Sequence, residues 1–450
     1  MPDPQPPLAY VFERFPSFTQ TFCAREILEL ERQGMKPALF SIRDTRGEGA
    51  GQFPGDLFDR VTFLPPEKEL AEEVQRLKNE GRLPQDAVLA LRHWGDRPDK
   101  ARLYEAAWIG LRLRDLGVRH CHSHFAGIGA RTCWWLRRLY GITFSFTGHA
   151  NDLFCKAEFD LDPARLMRSA SLVVTVSDYT AGFLRNLCPE AAAKVQRVYN
   201  GLDLAPFQRA AANRREAEPP LIFSVGRLIE KKGFDDLIRA CALLMRRGIA
   251  FRCAIAGDGP LEDDLRALIE SEGVAGQVEL LGPRTQAQIA ELLAETAVFA
   301  LPCVTEQDGG KDNLPTVIME AMAARVPCVS TRLAGVPEMV IDGETGRLVG
   351  EREVAPLADA VAGLLADPAL RQRFGEAGEK LAAQRFAKEV TAAQLRRLLA
   401  AGGLVGFQRG AAPAGAYLRQ WLTVRPASWL PRKKWKEEDY ASGVAFDADA

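Results

Sequence analysis

Four side chains at two strand-to-helix turns hold most of the chemistry in this sequence. Ser224-Val225-Gly226-Arg227 closes an apolar strand, and Lys232-Gly233-Phe234 opens the helix that follows. About eighty residues later, Asp312 and Glu320 flank a second such turn in Asp312-Asn313-Leu314-Pro315-Thr316-Val317-Ile318-Met319-Glu320-Ala321-Met322. Arg227 offers a planar fork to phosphate oxygens, and Lys232 adds a compact charge. The two carboxylates accept hydrogen bonds from hydroxyls. Cations for a diphosphate beside carboxylates for ribose and sugar hydroxyls suit a sugar nucleotide, so transfer of a sugar from a nucleotide donor is the leading expectation. Each part also has a plainer reading: a basic surface turn for Arg227 and Lys232, a helix-capping aspartate for Asp312, a solvated helix residue for Glu320. The last is weakened by the apolar neighbours Val317, Ile318, Ala321 and Met322, because a carboxylate among them needs a partner.

The elements that must position these groups form two α/β blocks. In the first, strands are expected at Leu8–Phe12, Pro37–Ile42, Val61–Leu64, Val118–His124, Thr143–Phe146 and Ser171–Ser177. Ser17 with Gln20 gives a capping-box start to a helix reaching about Gln33. Further helices are expected at Asp99–Leu116, Ala130–Tyr140 and from Tyr179 to Asn186. The second block has strands at Leu221–Val225, Arg252–Ala256, Val278–Leu281, Val298–Leu301, Pro327–Ser330 and Arg347–Val349. Its helices are Phe234–Arg247, Leu261–Glu272, Thr285–Glu295, Pro315–Ala324 and Val354–Leu365. Pro315 suits the first helical position. The alternation predicts an α/β protein of two doubly wound, Rossmann-like domains facing each other, with ligands in the cleft at the carboxyl ends of both sheets. The expected organisation is a first domain over 1–203, a linker over 204–220, a donor domain over 221–385, a helix over 386–400 returning toward the first domain, and a tail over 401–450.

At 450 residues the chain is too long for one core. A net charge of −1 makes it no electrostatic trap for nucleic acid. The nine cysteines are scattered singly, and Cys241, Cys253, Cys303 and Cys328 sit in or beside apolar runs, as small hydrophobes in a reducing compartment. No signal peptide or membrane-length apolar run is visible, which points to the cytoplasm.

The segment resembles the retaining glycosyltransferases of family 4, which have the GT-B fold. The resemblance rests on Gly226-Arg227…Lys232-Gly233, Ala256-Gly257-Asp258-Gly259-Pro260, Val278 to Gly282, Asp312 to Ala323, Gly335-Val336-Pro337-Glu338 and Asp342-Gly343…Thr345-Gly346. Phe15-Pro16-Ser17-Phe18-Thr19-Gln20-Thr21-Phe22 resembles a pattern of bacterial polysaccharide transferases, and His122-Ser123-His124-Phe125 and His149-Ala150-Asn151-Asp152 add to it. The likeness covers roughly residues 8 to 390. It implies that Arg227 and Lys232, with Gly226 and the start of the Pro315 helix (Asn313, Leu314, Pro315, Thr316), hold the donor diphosphate. It implies that Glu320 holds the ribose, that Gly257, Asp258 and Gly259 border the nucleotide, and that Asp312 and His149 meet the transferred sugar as catalytic-site groups. Phe18, Thr19, Gln20, His124 and Asp152 would lie on the acceptor side. Asp312 is one methylene shorter than the family's usual Glu, and Gln20 stands where relatives often carry Glu.

The implied reaction retains anomeric configuration, with the leaving phosphate taking the acceptor proton at the front face. The substrates are an NDP-sugar donor and a glycan or polyprenyl-linked acceptor; no cofactor and no metal are expected. Asp160-Leu161-Asp162 and Asp447-Ala448-Asp449 end no strand of the donor block and read as solvated carboxylates. Two other classes stay open: a non-catalytic sugar-nucleotide-binding protein, and a hydrolase using a metal at His120, His122 and His124 with His149 or Asp152. A nucleotide-sugar epimerase would need acid and base residues that the sequence does not display. From Arg409 to Lys436 the tail has seven basic residues, no acidic ones, and Trp421, Trp429 and Trp435. That composition suits peripheral contact with an anionic surface such as the inner membrane, or a segment packed across the first domain.

Overall fold

The computed structural model describes residues 8–17, 20–46, 53–54, 56–94, 99–149, 151–154 and 162–408. Its first domain is built on a parallel sheet of β1 (Ala9–Arg14), β2 (Ala38–Arg43), β3 (Val61–Phe63), β4 (His120–His124), β5 (Thr143–Gly148), β6 (Leu172–Thr175) and β7 (Val195–Arg197), in the order β3-β2-β1-β4-β5-β6-β7. The second is built on β8 (Leu221–Val225), β9 (Arg252–Ala256), β10 (Val278–Gly282), β11 (Thr296–Leu301), β12 (Cys328–Thr331) and β13 (Gly346–Val349), in the order β10-β9-β8-β11-β12-β13. Helices cover both faces, which is why a strand such as β8 is buried along its whole length. Strand order reverses at β1/β4 in one sheet and at β8/β11 in the other. Those two switch points are where ligand crevices open in such sheets.

Several elements depart from the sequence expectation. The capping box at Ser17 is not formed: the helix runs Thr21–Arg32 behind Gln20, whose side chain makes no cap bond, and the Gln20 N–H instead closes a turn onto the Ser17 carbonyl at 3.0 Å. Pro315 precedes its helix, Thr316–Ala323, because its ψ of 109° is extended. The expected linker holds the helix Ala205–Ala212, whose Phe207 is fully buried in the second domain's core, and Arg215 and Ala217 donate to the Ala294 and Glu295 carbonyls. Its polar sequence hides one narrow apolar stripe. Helices Glu67–Asn79 and Gln85–Trp94 fall where the sequence assigns no element; the first buries only Leu70, Val74 and Leu77.

The helix Lys388–Gln408 lies on the first domain. Ala392, Leu395 and Leu399 join a core with Leu8, Tyr10 and Val198, and the Gln394 side chain donates to the Arg197 carbonyl at 2.8 Å. The tail from 409 on lies outside the described residues, as do Asp160, Leu161, Asp447 and Asp449. Asp162 caps the helix Pro163–Ser169 by accepting from the Arg165 N–H at 2.7 Å. Eight cysteines among the described residues are free and buried, including Cys241, Cys253, Cys303 and Cys328. No helix among the described residues is long and apolar enough to cross a membrane.

Candidate active site

The donor-side groups gather at the carboxyl ends of β8, β9 and β11. Gly226 follows β8, and its N–H donates to the Ala256 carbonyl at 3.0 Å, tying that turn to the end of β9. Gly257 sits at φ +140°, and a Cβ there would stand 1.9 Å from the Gly226 carbonyl oxygen, so this close approach of two loops needs glycine. Gly259 lies against Leu228, whose N–H donates to the Asp258 carbonyl at 2.7 Å; the Asp258 side chain is exposed. Arg227 is exposed at the mouth, while Lys232 folds back so that its stem lies over Gly226.

The Lys232 ammonium stands 2.5 Å from Asp312 Oδ2, and Lys231, which the sequence reading does not single out, reaches Asp312 Oδ1 at 3.5 Å. Burial works against the charge on Lys232, but Asp312 and Cys303 more than offset it, so its pKa is raised. Two lysines on one carboxylate leave a net positive charge at the turn, beside Arg227 and the start of the Thr316–Ala323 helix. That arrangement suits an anion. Asp312 is therefore occupied by ammonium groups and is not presented freely to a sugar.

Glu320 lies inside that helix and is 9% exposed, and burial pushes its pKa up to about 7 against the pull of Arg25. Arg25 belongs to the first domain's Thr21–Arg32 helix. Burial lowers its pKa while Glu320 and Asp203 favour its charge, and its Nε is buried without a hydrogen-bond partner. A cation from one domain thus faces the carboxylate of the other.

Asn313 joins the two domains. Its Oδ1 accepts from Ser177 Oγ at 2.7 Å, and its Nδ2 donates to Thr180 Oγ1 at 2.7 Å and to the His149 carbonyl at 3.4 Å. Its side-chain amide is thus spent on the first domain. Leu314 and Pro315 are buried, and Thr316 is half-buried at the helix start.

On the first-domain side, His149 packs between Phe22 and Phe125, with centroids 4.9 and 4.5 Å away. Its Nε2 is 3.1 Å from His124 Nδ1, and His124 Nε2 is 3.0 Å from Glu26 Oε1. Tyr10 donates to that same oxygen at 2.8 Å. His124 and Asp152, expected to face an acceptor, do not: the His124 side chain is 1% exposed, and Asp152 spends its oxygens on the N–H groups of Ala126 and His149 at 2.8 and 3.0 Å. Burial pushes Asp152 up to about 6, against those backbone bonds and His124. Gln20 is half-buried at its helix start; Phe18 and Thr19 lie outside the described residues.

The histidine face of β4 is a hydrogen-bond ladder. His120 bonds Thr143 and Ser145 hydroxyls at 2.8 Å each, and His122 bonds Ser145 and Thr147 hydroxyls at 2.7 and 2.9 Å. The β4–β5 register, with His122 opposite Ser145 and His124 opposite Thr147, dictates this pairing. Each ring nitrogen of His120 and His122 is spent on a hydroxyl, so the metal-site reading loses two of its ligands.

Tyr10, Glu26, Lys231, Ser177, Thr180 and Arg25 escape sequence reasoning. Only Ser177-x-x-Thr180 carries a local signal, as a helix cap whose Ser177 Oγ accepts from the Thr180 N–H at 3.0 Å.

Residues 25–206 match the family Glycosyltransferase Family 4, and residues 207–381 match Glycosyl transferases group 1. The putative colanic acid biosynthesis glycosyltransferase WcaL of Escherichia coli K12 is 37% identical over 377 residues, covering 78% of this chain and 88% of that protein. The GDP-mannose-dependent alpha-(1-6)-phosphatidylinositol monomannoside mannosyltransferase of Mycolicibacterium smegmatis is 34% identical over 244 residues, 52% of this chain and 63% of that protein. Anabaena HepE, solved in complex with UDP, superposes with a TM-score of 0.63 at 18% identity, covering 88% of this chain and 99% of that one. The chain is a glycosyltransferase of GT-B fold and belongs to glycosyltransferase family 4.

Proposed function

We propose that this enzyme transfers a sugar from a nucleoside diphosphate sugar to a glycan or polyprenyl-linked glycan, with retention of configuration and without a metal, in the assembly of a bacterial surface polysaccharide. The observation that carries the donor class is the Lys231–Asp312–Lys232 cluster beside Arg227 and the Thr316–Ala323 helix start, with the buried Glu320 a turn further in. In this reading Arg227 and Lys232 neutralise the diphosphate as the glycosidic bond breaks, and fixed cations can do so without reorganising. Glu320 accepts the ribose hydroxyls. His149 meets the sugar from the opposite domain, and the leaving phosphate oxygen takes the acceptor hydroxyl's proton. The polysaccharide role draws on the WcaL likeness. The relatives differ in nucleotide, UDP in the HepE complex and GDP-mannose in the mycobacterial enzyme, so the base is chosen by experiment.

The test is a binding and hydrolysis screen of the purified chain against UDP-, GDP- and ADP-sugars, with and without EDTA, alongside Lys232→Ala and Glu320→Ala. Saturable binding of one nucleotide, insensitive to EDTA and lost in both variants, is expected. Activity abolished by EDTA would overturn the metal-independent reading; absence of any sugar-nucleotide binding would return weight to a different ligand.

A further inference from the structure

Behind His149 runs a chain of polar groups that the reaction outlined above does not use. Tyr10 on β1 donates its hydroxyl to Glu26 on the Thr21–Arg32 helix at 2.8 Å, Glu26 accepts from His124 Nε2 at 3.0 Å, and His124 Nδ1 meets His149 Nε2 at 3.1 Å. A carboxylate only accepts, so His124 carries a proton on Nε2. One proton then lies between the two facing imidazole nitrogens, and which ring owns it decides what His149 presents to the cleft.

We propose that Glu26 and Tyr10 are positioning residues that act through His124 to hold the His149 ring with its proton on Nδ1, so that the free edge of this ring donates a hydrogen bond to the donor sugar. The proposal deepens the reading of His149 as the residue at the sugar and rests on it.

The charge layout supports that ownership. His124 is flanked by Glu26 and, through space, by Asp152, whereas among the described residues no carboxylate lies against the His149 ring, because Asp152 holds that residue's backbone N–H instead. The groups facing His124 are Tyr10 from β1, Cys23 and Glu26 from the following helix, His122 from its own strand, and His149 and Asp152 from the β5 end. Burial disfavours a charge on His124, but Cys23 and Glu26 outweigh it and hold its pKa well above the usual histidine value. Burial and His124 together push His149 well below the usual value, keeping it neutral. Tyr10 is raised by burial and by Glu26, so it stays a donor.

Packing locks the geometry. His124 stacks parallel to Phe12 at 5.8 Å with 5° between planes, and lies 6.0 Å from the Tyr10 ring. Phe125, which tilts over His149, takes a φ of +69°, a backbone state that costs a bulky residue on the order of 1–3 kcal/mol and persists only where the surroundings impose it.

The experiment is long-range proton–nitrogen NMR of the full chain, with nitrogen-15-labelled histidine, on the wild type and on Glu26→Gln. In the wild type His149 should show a protonated Nδ1 and a bare Nε2, and His124 both nitrogens protonated. In Glu26→Gln the amide oxygen still accepts from His124 Nε2, but the charge is gone. His124 becomes neutral, its Nδ1 becomes an acceptor, and His149 must donate from Nε2, inverting its tautomer. Nucleotide affinity should change less than about twofold while kcat falls roughly 10–100-fold, and Glu26→Asp should recover the tautomer and part of kcat. A wild-type His149 protonated on Nε2, or a folded Glu26→Gln protein with an unchanged tautomer, overturns the proposal. The wild-type spectrum alone decides if the variant does not fold. The tautomer is read without turnover, so a chain that binds no sugar nucleotide would sink the transferase site and leave this result to be judged separately.

Discussion

Lys232 Nζ lies 2.5 Å from Asp312 Oδ2 although eighty positions separate the two residues in the chain. The contact spans the turns after β8 and β11, neighbouring strands at the second domain's switch point. Both side chains are largely shielded, at 13% and 15% exposure, so in the ligand-free protein the ammonium is tied to the carboxylate. Lys232→Met should weaken binding of the nucleoside diphosphate by more than about tenfold, the scale of one charged hydrogen bond. Asp312→Asn removes the competitor for Lys232 and should leave nucleotide affinity equal or tighter while kcat drops. Calorimetry with the nucleotide alone separates the two. Equal losses of affinity would make Asp312 part of the nucleotide clamp instead.

Glu320 should make the ligand-free protein sensitive to pH. Its ordinary pKa of 4.5 is raised by burial to about 7, so the folded state prefers the protonated form. Below pH 4.5 both folded and unfolded chains hold the proton and nothing is lost. Between there and about pH 7 the unfolded chain ionises first, and stability falls by about 3 kcal/mol in total. Melting temperatures of the wild type should therefore drop from about pH 5 to pH 8 relative to Glu320→Gln. Ribose hydroxyls need the ionised carboxylate, so nucleotide affinity should rise over the same window in the wild type and stay level in the variant. Parallel stability curves for the two proteins would refute the assignment.

The donor half was largely legible because its signals are local. Strands Leu221–Val225 and Arg252–Ala256 occur with the bounds that their apolar runs predict, and the Gly226, Lys232 and Pro315 turns sit where strand meets helix. The first-domain half of the site was less so. His124 and Glu26 are ninety-eight residues apart, and Tyr10 sits in a strand whose alternation reports only burial. No period or spacing encodes a contact between three elements. Asn313 was only half legible for a related reason: its amide points at Ser177 and Thr180 of the other domain, which its motif does not contain. Lys231 was hidden by its twin, since adjacent lysines in a short turn give no clue that both fold inward onto one carboxylate.

Gly233 tests the rigidity of the turn that carries Lys232. It sits at φ +64°, and a Cβ there would stand 1.9 Å from the Pro302 carbonyl oxygen, where backbone meets backbone and neither side can yield cheaply. Gly248 has a similar φ of +71° with nothing within 4 Å of its Cβ position. Gly248→Ala should cost about 1–2 kcal/mol, the conformational term alone. Gly233→Ala should cost clearly more, by chemical denaturation, and should also displace Lys232 and lose nucleotide binding. Equal costs at the two positions would mean that the loop slides away from Pro302 without penalty.

The two domains meet at the start of the Asp178–Leu187 helix, and that contact is expected to govern closure. Glu338 of the second domain accepts from the Asp178 and Tyr179 N–H groups at 2.8 and 3.0 Å and from the Tyr199 hydroxyl at 3.1 Å, which places a carboxylate at a helix N-terminus. Asn313 binds Ser177 and Thr180 of the same turn, and the Gly335 N–H donates to the Asn313 carbonyl at 2.9 Å, so both latches hang on one loop pair. Glu338→Ala combined with Asn313→Ala should let the cleft open, seen as a larger radius of gyration by small-angle X-ray scattering. The cluster of Lys231, Lys232 and Asp312 lies wholly in the second domain, so nucleotide affinity should hold. His149 comes from the first domain, so kcat should fall at least tenfold as the sugar loses its partner across the cleft. An unchanged radius together with an unchanged kcat would show that closure is set by the Lys388–Gln408 helix and its packing on the first domain instead.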